Sequence, residues 1–556
     1  MTPLADPTLV PADLARSAGA GRPLVRSDAP PAHSLLWQAA LLGLSADALL
    51  YDGPVGPGLA IWVLVLALAA LALTWSAGRR LPREAAVWLG VAVLIAACTA
   101  WRDPEPLRVL DVGATMGVLC LAAIALRDPA VAIAAPRLRD TLWAGLAVVR
   151  SVARGIVPLA VRELFRADRR HGALGRARTT ARLVLIAGAL LLVFGSLLRS
   201  ADPIFARLVS LPEFDVERLM SHVFVIGVFT WIAGGWVYGA LVESPAARRA
   251  PERLPITLGA LDLTTALGTL NLLFGAYVLT QLGWFFGGER FLHATTGLTA
   301  AEYARQGFFQ MVWVVALVVP LLLATRAAIG ADPALTRRHV LLAMPIVALL
   351  GAIMGSAALR MRLYVHYYGL TTERLYALAF MGWLAIVLVL LAATVLRNRG
   401  RTFVAGSVVS ALALLLGLHI IVPDTVVARV NVARAAAADA AQPLDLPYLA
   451  GLSGEAVPLV VRATLAPPTE LQRRDLHSAL RRCDAASRLL REWGPASRRV
   501  TRRQAQTAWR TWNAGESRAL RAVGERSADL RRLRHSLCKT GRESRVNGRG
   551  SATVAD

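Results

Sequence analysis

The sequence predicts an all-α, polytopic transmembrane helical bundle of about eleven spans with a small helical C-terminal appendage. Three observations carry that prediction. Hydrophobic residues make up 56% of the 556 residues and charged ones only 18%, too apolar a balance for a soluble globule of this length. The apolar residues lie in continuous runs of the roughly 20 residues that cross a bilayer as a helix, and inside lipid a helix satisfies its own backbone. The segments between the runs alternate between arginine-rich and arginine-poor.

The expected spans are 34–51, 58–77, 84–101, 109–126, 182–199, 219–243, 264–285, 309–329, 339–358, 375–396 and 403–422. They divide the chain into six regions. Residues 1–33, rich in Pro and Ala and without a cleavable apolar core, read as a disordered cytoplasmic leader, and 34–126 form a four-span N-terminal membrane region. Residues 127–181 form a basic segment whose apolar residues suit amphipathic helices at the inner leaflet or a connection packed under the bundle. Residues 182–422 hold seven more spans, 423–495 a helical appendage and 496–556 an Arg-rich, partly disordered tail.

Orientation follows from the arginines. With the N-terminus inside, the cytoplasmic segments hold 27 of them and the opposite loops 10, the asymmetry expected of short loops in a bacterial inner membrane. Eleven spans then put the tail on the extracytoplasmic side, although it carries 24 basic residues against 13 acidic ones. Long segments translocate largely regardless of charge. An odd error in the span count would reverse the assignment.

Beyond the last span, Asp424 and Asp445 are placed to cap short helices, the second with Pro447 in its first turn. Pro467 and Pro468 interrupt the pattern before a further helical stretch, and Trp509, Trp512, Leu520, Val523, Leu530 and Leu533 can stripe one more helix. The Asp-Pro pairs at Asp103, Asp128, Asp202 and Asp332 read as turn and capping chemistry near span ends. Gly235 to Gly239 and Gly351 to Gly355 suit close helix packing.

Several activities are excluded by residue type. Among 61 basic residues there is a single lysine, Lys539, in the polar tail; a P-loop, a Schiff base and a kinase phosphate-binding lysine are all ruled out. The nine histidines include no H-E-x-x-H, no metal set is present, and no catalytic residue is assigned. No cofactor and no nucleic-acid partner is expected. Anionic lipid headgroups are the expected partners of the basic segments, with an envelope protein or polymer at the C-terminal tail.

The candidate ligand site is the run from Arg360 to Leu375 in the loop between the ninth and tenth spans. Arg360, Arg362, Tyr364, Tyr367, Tyr368 and Arg374 offer guanidinium forks and phenols suited to a phosphate or carboxylate; interface anchoring explains the same residues. The intramembrane polar candidates are Asp47, Asp111, Asn271 and His419, since burial in lipid makes such groups costly unless they face protein, water or a ligand. Cys98 and Cys120 read as small apolar residues within spans. Cys483 and Cys538 lie in the tail and can pair if it faces an oxidising compartment.

The run Arg360-Met361-Arg362-Leu363-Tyr364-Val365-His366-Tyr367-Tyr368-Gly369-Leu370-Thr371-Thr372-Glu373-Arg374-Leu375 resembles a family of bacterial multi-pass membrane proteins catalogued only as a domain of unknown function. So do Ser200 to Phe205, Ala428 to Asn431, Asp445 to Leu449 and Leu452 to Pro458. The resemblance covers roughly 180–465 and implies a helical membrane fold with a small helical appendage; it carries no activity. The expected function is therefore that of a non-enzymatic transport-like or scaffold and sensing protein. A membrane enzyme acting on a lipid-linked or phosphorylated substrate at the outer face is the alternative.

Overall fold

The computed structural model describes residues 29–127 apart from 52 and 54, then 138–157, 216–243, 258–296, 308–329, 332–396, 402–436, 443–467, 475–495 and 508–550, with isolated positions between 159 and 195. Every regular element among them is helical and there is no strand. The helices are α1 (Ala32–Leu50), α2 (Pro57–Ser76), α3 (Arg83–Trp101), α4 (Glu105–Arg127), α5 (Leu138–Arg154), α6 (Val216–Leu241), α7 (Ala260–Thr296), α8 (Phe308–Ala328), α9 (Pro333–Tyr368), α10 (Thr372–Leu390), α11 (Phe403–Ile421), α12 (Pro423–Ala436), α13 (Leu446–Leu449), α14 (Val457–Leu465), α15 (Leu476–Trp493), α16 (Ala514–Glu525) and α17 (Ser527–Gly550).

Nine of the described helices, α2, α3, α4, α6, α7, α8, α9, α10 and α11, are long and apolar enough to cross a membrane. They coincide with nine of the eleven expected spans. α1 occupies the first expected span but carries Gln38, Ser45 and Asp47 and is not among the nine. Most of the expected span 182–199 lies outside the described residues, as do the Asp128 and Asp202 turns.

The helices form two membrane units and a cap, each with its own apolar core. The first unit packs α1 to α6 around Leu42, Val63, Leu66, Leu73, Ala92 and Trp236, with Leu415 and Leu418 of α11 joining it. The second packs α7 to α10 and the start of α11 around Leu267, Leu322, Ile346, Leu350 and Leu391. α12 to α17 form the cap, around Val427, Leu449, Val460, Leu489 and Leu530. α10 ends in a π-helical turn, Leu391–Val395, and neither Pro320 in α8 nor Pro345 in α9 breaks its helix.

α5 lies against α4 and α6. It reaches α6 where that helix carries Gly235 and Gly239: a Cβ there would stand 2.8 Å from the Ser151 carbonyl oxygen and 2.6 Å from Ser151 Cβ respectively. Close approach seats Ser151 Oγ on Glu243 at 2.8 Å, and Arg127 reaches the same carboxylate at 3.2 Å. Gly351 and Gly355, by contrast, have no described neighbour within 4 Å of where a Cβ would stand, so the packing expected of them is not met by the described residues.

Two boundaries differ from expectation. α9 runs 36 residues from its Asp332 cap, whose side chain accepts from Ala334 and Leu335 N–H, through to Tyr368. The Arg/Tyr run is thus mostly the last turns of a helix, because Arg360 finds a buried partner and needs no loop. α12 follows α11 after one left-handed residue, Val422 (φ 59°). Asp424 lies inside the first turn of α12, and instead of capping it accepts from Ser453 N–H at 2.9 Å.

Candidate functional site

The two ends of the membrane units are chemically distinct. At one end Arg127 pairs with Glu243, and Arg79 donates to the Leu126 carbonyl; this end carries the arginine-rich turns. At the other, Tyr51 at the end of α1 meets Ser221 near the start of α6 at 2.6 Å, and His222 meets Asp47 at 2.8 Å. α4 arrives at the first end and α6 departs from the second. The chain therefore passes from one end of the bundle to the other between Arg127 and Val216.

The cap sits on the arginine-poor end. It meets the 51–57 turn, the 102–104 turn, the 369–371 turn and the end of α11, the first three being loops assigned to the side opposite the arginine-rich segments. The centre of this junction is the turn Arg102-Asp103-Pro104. Asp103 accepts from Gly454 N–H at 2.6 Å and from Arg108, which also reaches Glu516 at 3.3 Å. Arg102 and Arg518 each lie 3.2 Å from Glu455 Oε1. The Arg102 and Glu455 side chains are only 8% and 0% exposed, so this pair is desolvated, whereas Arg518 is 48% exposed.

Burial pushes the Glu455 carboxyl above its ordinary value, with Arg102 and Arg518 opposing and Asp103 adding to the rise. Glu516 is raised by burial and by Asp103, against Arg108. Two asparagines complete the clamp. Asn513 donates to the Thr99 and Arg102 carbonyls at 3.0 and 2.7 Å while capping α16 through Gly515 N–H. Asn431 accepts from Leu370 N–H at 3.0 Å and donates to its carbonyl at 2.6 Å, fixing the α9–α10 turn. Tyr448 Oη accepts from Thr372 N–H at 3.0 Å.

Beneath the clamp, in the membrane unit, Asp111 Oδ2 and His419 Nε2 stand 3.3 Å apart with side chains 0% and 1% exposed. Trp101 stacks on the imidazole, and Arg102 lies over the same indole. Among the described residues Asp111 Oδ1, Thr115 Oγ1, Tyr376 Oη and Ser453 Oγ have no hydrogen-bond partner.

The intramembrane candidates thus resolve into three places. Asp111 and His419 come together; Asp47 pairs with His222; Asn271 stands apart in the second unit, donating across to the Leu342 carbonyl of α9 at 2.8 Å. The Arg/Tyr candidates do not converge on one cavity among the described residues. Arg360 is buried and donates to Gln281 of α7, and Arg362 is exposed. Arg374 lies over the Tyr364 ring and donates to the Gly369 carbonyl, and Tyr368 packs edge-on against Tyr364. The Tyr367 side chain lies outside the described residues.

Cys483 and Cys538 are at bonding distance with Cα atoms 5.6 Å apart, inside the range that a disulfide requires. They join α15 to α17. Cys98 and Cys120 are free. Among the described residues no group of three His, Cys, Asp or Glu side chains is arranged to hold a metal ion.

A family model described as Domain of unknown function (DUF4153) matches residues 89–463. The chain belongs to this family. The matched stretch takes in Arg102, Asp103, Asp111, His419, Asp424 and Glu455, and stops short of Asn513, Glu516 and Arg518 of this DUF4153 protein. No curated protein and no solved structure matches the chain. The residues missed by sequence reasoning are Arg102, Asp103, Glu455, Asn513 and Tyr376. Asp103 had a signal in its Asp-Pro pair and Glu455 in the Leu452 to Pro458 run; Asn513 had none.

Proposed function

We propose that this DUF4153 protein is a non-catalytic scaffold or sensor of a bacterial inner membrane, with a cytoplasmic N-terminus and a helical cap at the extracytoplasmic face. The observation that carries this reading is the buried clamp of Arg102, Asp103 and Glu455, which fastens the cap to the bundle where an enzyme of the outer face would need an open site. Two further points support it. The described spanning helices run without a break at mid-membrane, where transporters commonly interrupt theirs. The paired geometry of Cys483 and Cys538 suits an oxidising compartment, and the cap rests on the arginine-poor loops.

Complementation separates scaffold from chemistry. In a strain lacking the gene, the envelope defect is scored after expressing Arg102→Ala, which releases the cap, or Asp111→Asn with His419→Gln, which removes the only buried acid–imidazole pair of the first unit among the described residues. A scaffold needs its cap and not that pair, so the first variant fails to rescue and the second succeeds. Loss of rescue by the second, with the cap still protease-resistant, would sink the reading. Sidedness is measured with an impermeant thiol reagent in a background without native cysteines: Glu492→Cys labels in intact cells and Arg80→Cys only after lysis.

A further inference from the structure

A cavity of about 780 Å³ lies in the first membrane unit, between α1, α2, α4, α5 and α6. Its wall is apolar, built on Trp62, Leu66, Met116, Leu119, Phe229 and Trp236. The two indole N–H groups are already spent, Trp62 on the Leu42 carbonyl and Trp236 on the Leu119 carbonyl, both at 3.0 Å. The tryptophans therefore turn only their apolar surfaces to the space. A space with such a wall offers water few partners, and one of this volume matches ligand sites in size. Along α4 the lining runs from Val112 to Cys120 and along α6 from Val225 to Trp236, about 12 to 17 Å at 1.5 Å per residue. That is close to one leaflet of a hydrocarbon core about 30 Å thick.

The rim at the arginine-poor end is of different chemistry. Arg510 and Thr511 of the cap line it together with Tyr51 and Gly56. The cap can descend this far because Gly56 has no side chain: a Cβ there would stand 2.9 Å from the Arg510 carbonyl oxygen. Arg510 donates through one nitrogen to the Ala48 carbonyl at the end of α1, which anchors the guanidinium at the mouth with further N–H groups to offer. Trp509 and Trp512 on either side are each 51% exposed, the placement of indoles at a headgroup layer. The nearby Asp47 carboxylate is hydrogen-bonded to His222 at 2.8 Å, and Arg510 is the guanidinium that lines the rim.

We propose that this cavity binds one anionic phospholipid of the cap-side leaflet, an acyl chain between α2, α4 and α6 and the phosphate on Arg510. The cap and the membrane unit would then share a lipid at their junction. The probe is a phosphatidylglycerol carrying a diazirine on its acyl chain, reconstituted with the full chain in nanodiscs and mapped by peptide mass spectrometry after irradiation. Labels are expected at Trp62, Leu119 and Phe229, and at Leu94, which is 69% exposed on α3 and serves as the reference for lipid passing along the outer surface. Arg510→Gln should lower the cavity labels roughly tenfold, the loss of one charged hydrogen bond, and leave the Leu94 label unchanged. Ala233→Trp, which fills the cavity, should abolish the cavity labels alone. Cavity labels that follow Leu94 in every variant, that survive Arg510→Gln, or that never appear because a segment of this chain fills the space would each overturn the proposal.

Discussion

Replacing Glu455 with alanine tests the clamp most directly. The variant leaves Arg102 facing the place of a missing carboxylate with a side chain 8% exposed. Removing one partner of a buried pair costs about 3–5 kcal/mol, since the remaining charge is desolvated without compensation. The Arg518 contact adds little, because that side chain is 48% exposed and exposed pairs contribute under about 1 kcal/mol. Docking of the cap should therefore weaken by about two to four orders of magnitude.

The readout is the rate at which a thiol reagent reaches Thr99→Cys, a position 0% exposed beneath Asn513, in a background without the free Cys98 and Cys120 but with the Cys483–Cys538 pair kept. Glu455→Ala should label far faster than its parent. Arg102→Met with Glu455→Met supplies the control, because replacing both charges by apolar groups of similar size removes the desolvation cost together with the pair. The double variant should recover most of the protection that either single change loses. If Glu455→Ala labels at the parental rate, or the double variant labels as fast as the singles, the clamp is not what holds the cap down.

Four other outcomes follow from the same geometry. Asn431→Ala strips both partners from the Leu370 backbone and should destabilise the α9–α10 turn by about 1–3 kcal/mol, read as a lower melting temperature in detergent. Gly239→Val drives a side chain into Ser151, 2.6 Å from the position of the new Cβ, and should cost about 1–3 kcal/mol by the same measurement. Cys483→Ser opens a loop spanning 55 residues, worth about 4 kcal/mol in chain entropy, and should make the cap protease-sensitive with no further effect of reductant. Glu455 and Glu516 have folded values above their ordinary 4.5, so their contribution is fully present below that value and lost as pH rises through the folded one. Cap protection should fall on going from pH 4.5 toward neutrality, and more steeply than in Glu455→Gln with Glu516→Gln.

The spans are legible because lipid imposes a rule that composition cannot evade: a run that cannot satisfy its backbone or hide its charges does not cross. Asp111 and His419 stand out for the same reason, as polar residues in apolar runs, but their partnership joins α4 to α11 across about half the chain and leaves no periodic trace. The clamp is less legible still. Asn513 reaches Thr99 and Arg102 reaches Glu455 over sequence separations of 414 and 353, and each residue alone reads as turn chemistry or as a solvated charge. The Arg/Tyr run misleads in the opposite direction, since its density of charge suits a ligand loop while Arg360 is spent on Gln281, joining α9 to α7.

The basic tail is where these strands meet. Its excess of arginine is an exception to the loop pattern only while charge counting treats every arginine as free to interact with the membrane. Arg518 of the cap is committed to Glu455, and Arg102 of the turn and Arg108 of α4 to Glu455, Asp103 and Glu516. Docking on the loops also ties the side of the cap to theirs, whatever its net charge. A cap held this way presents Arg510 and the exposed Trp509 and Trp512 beside the first membrane unit, which is where the lipid proposed above would meet it.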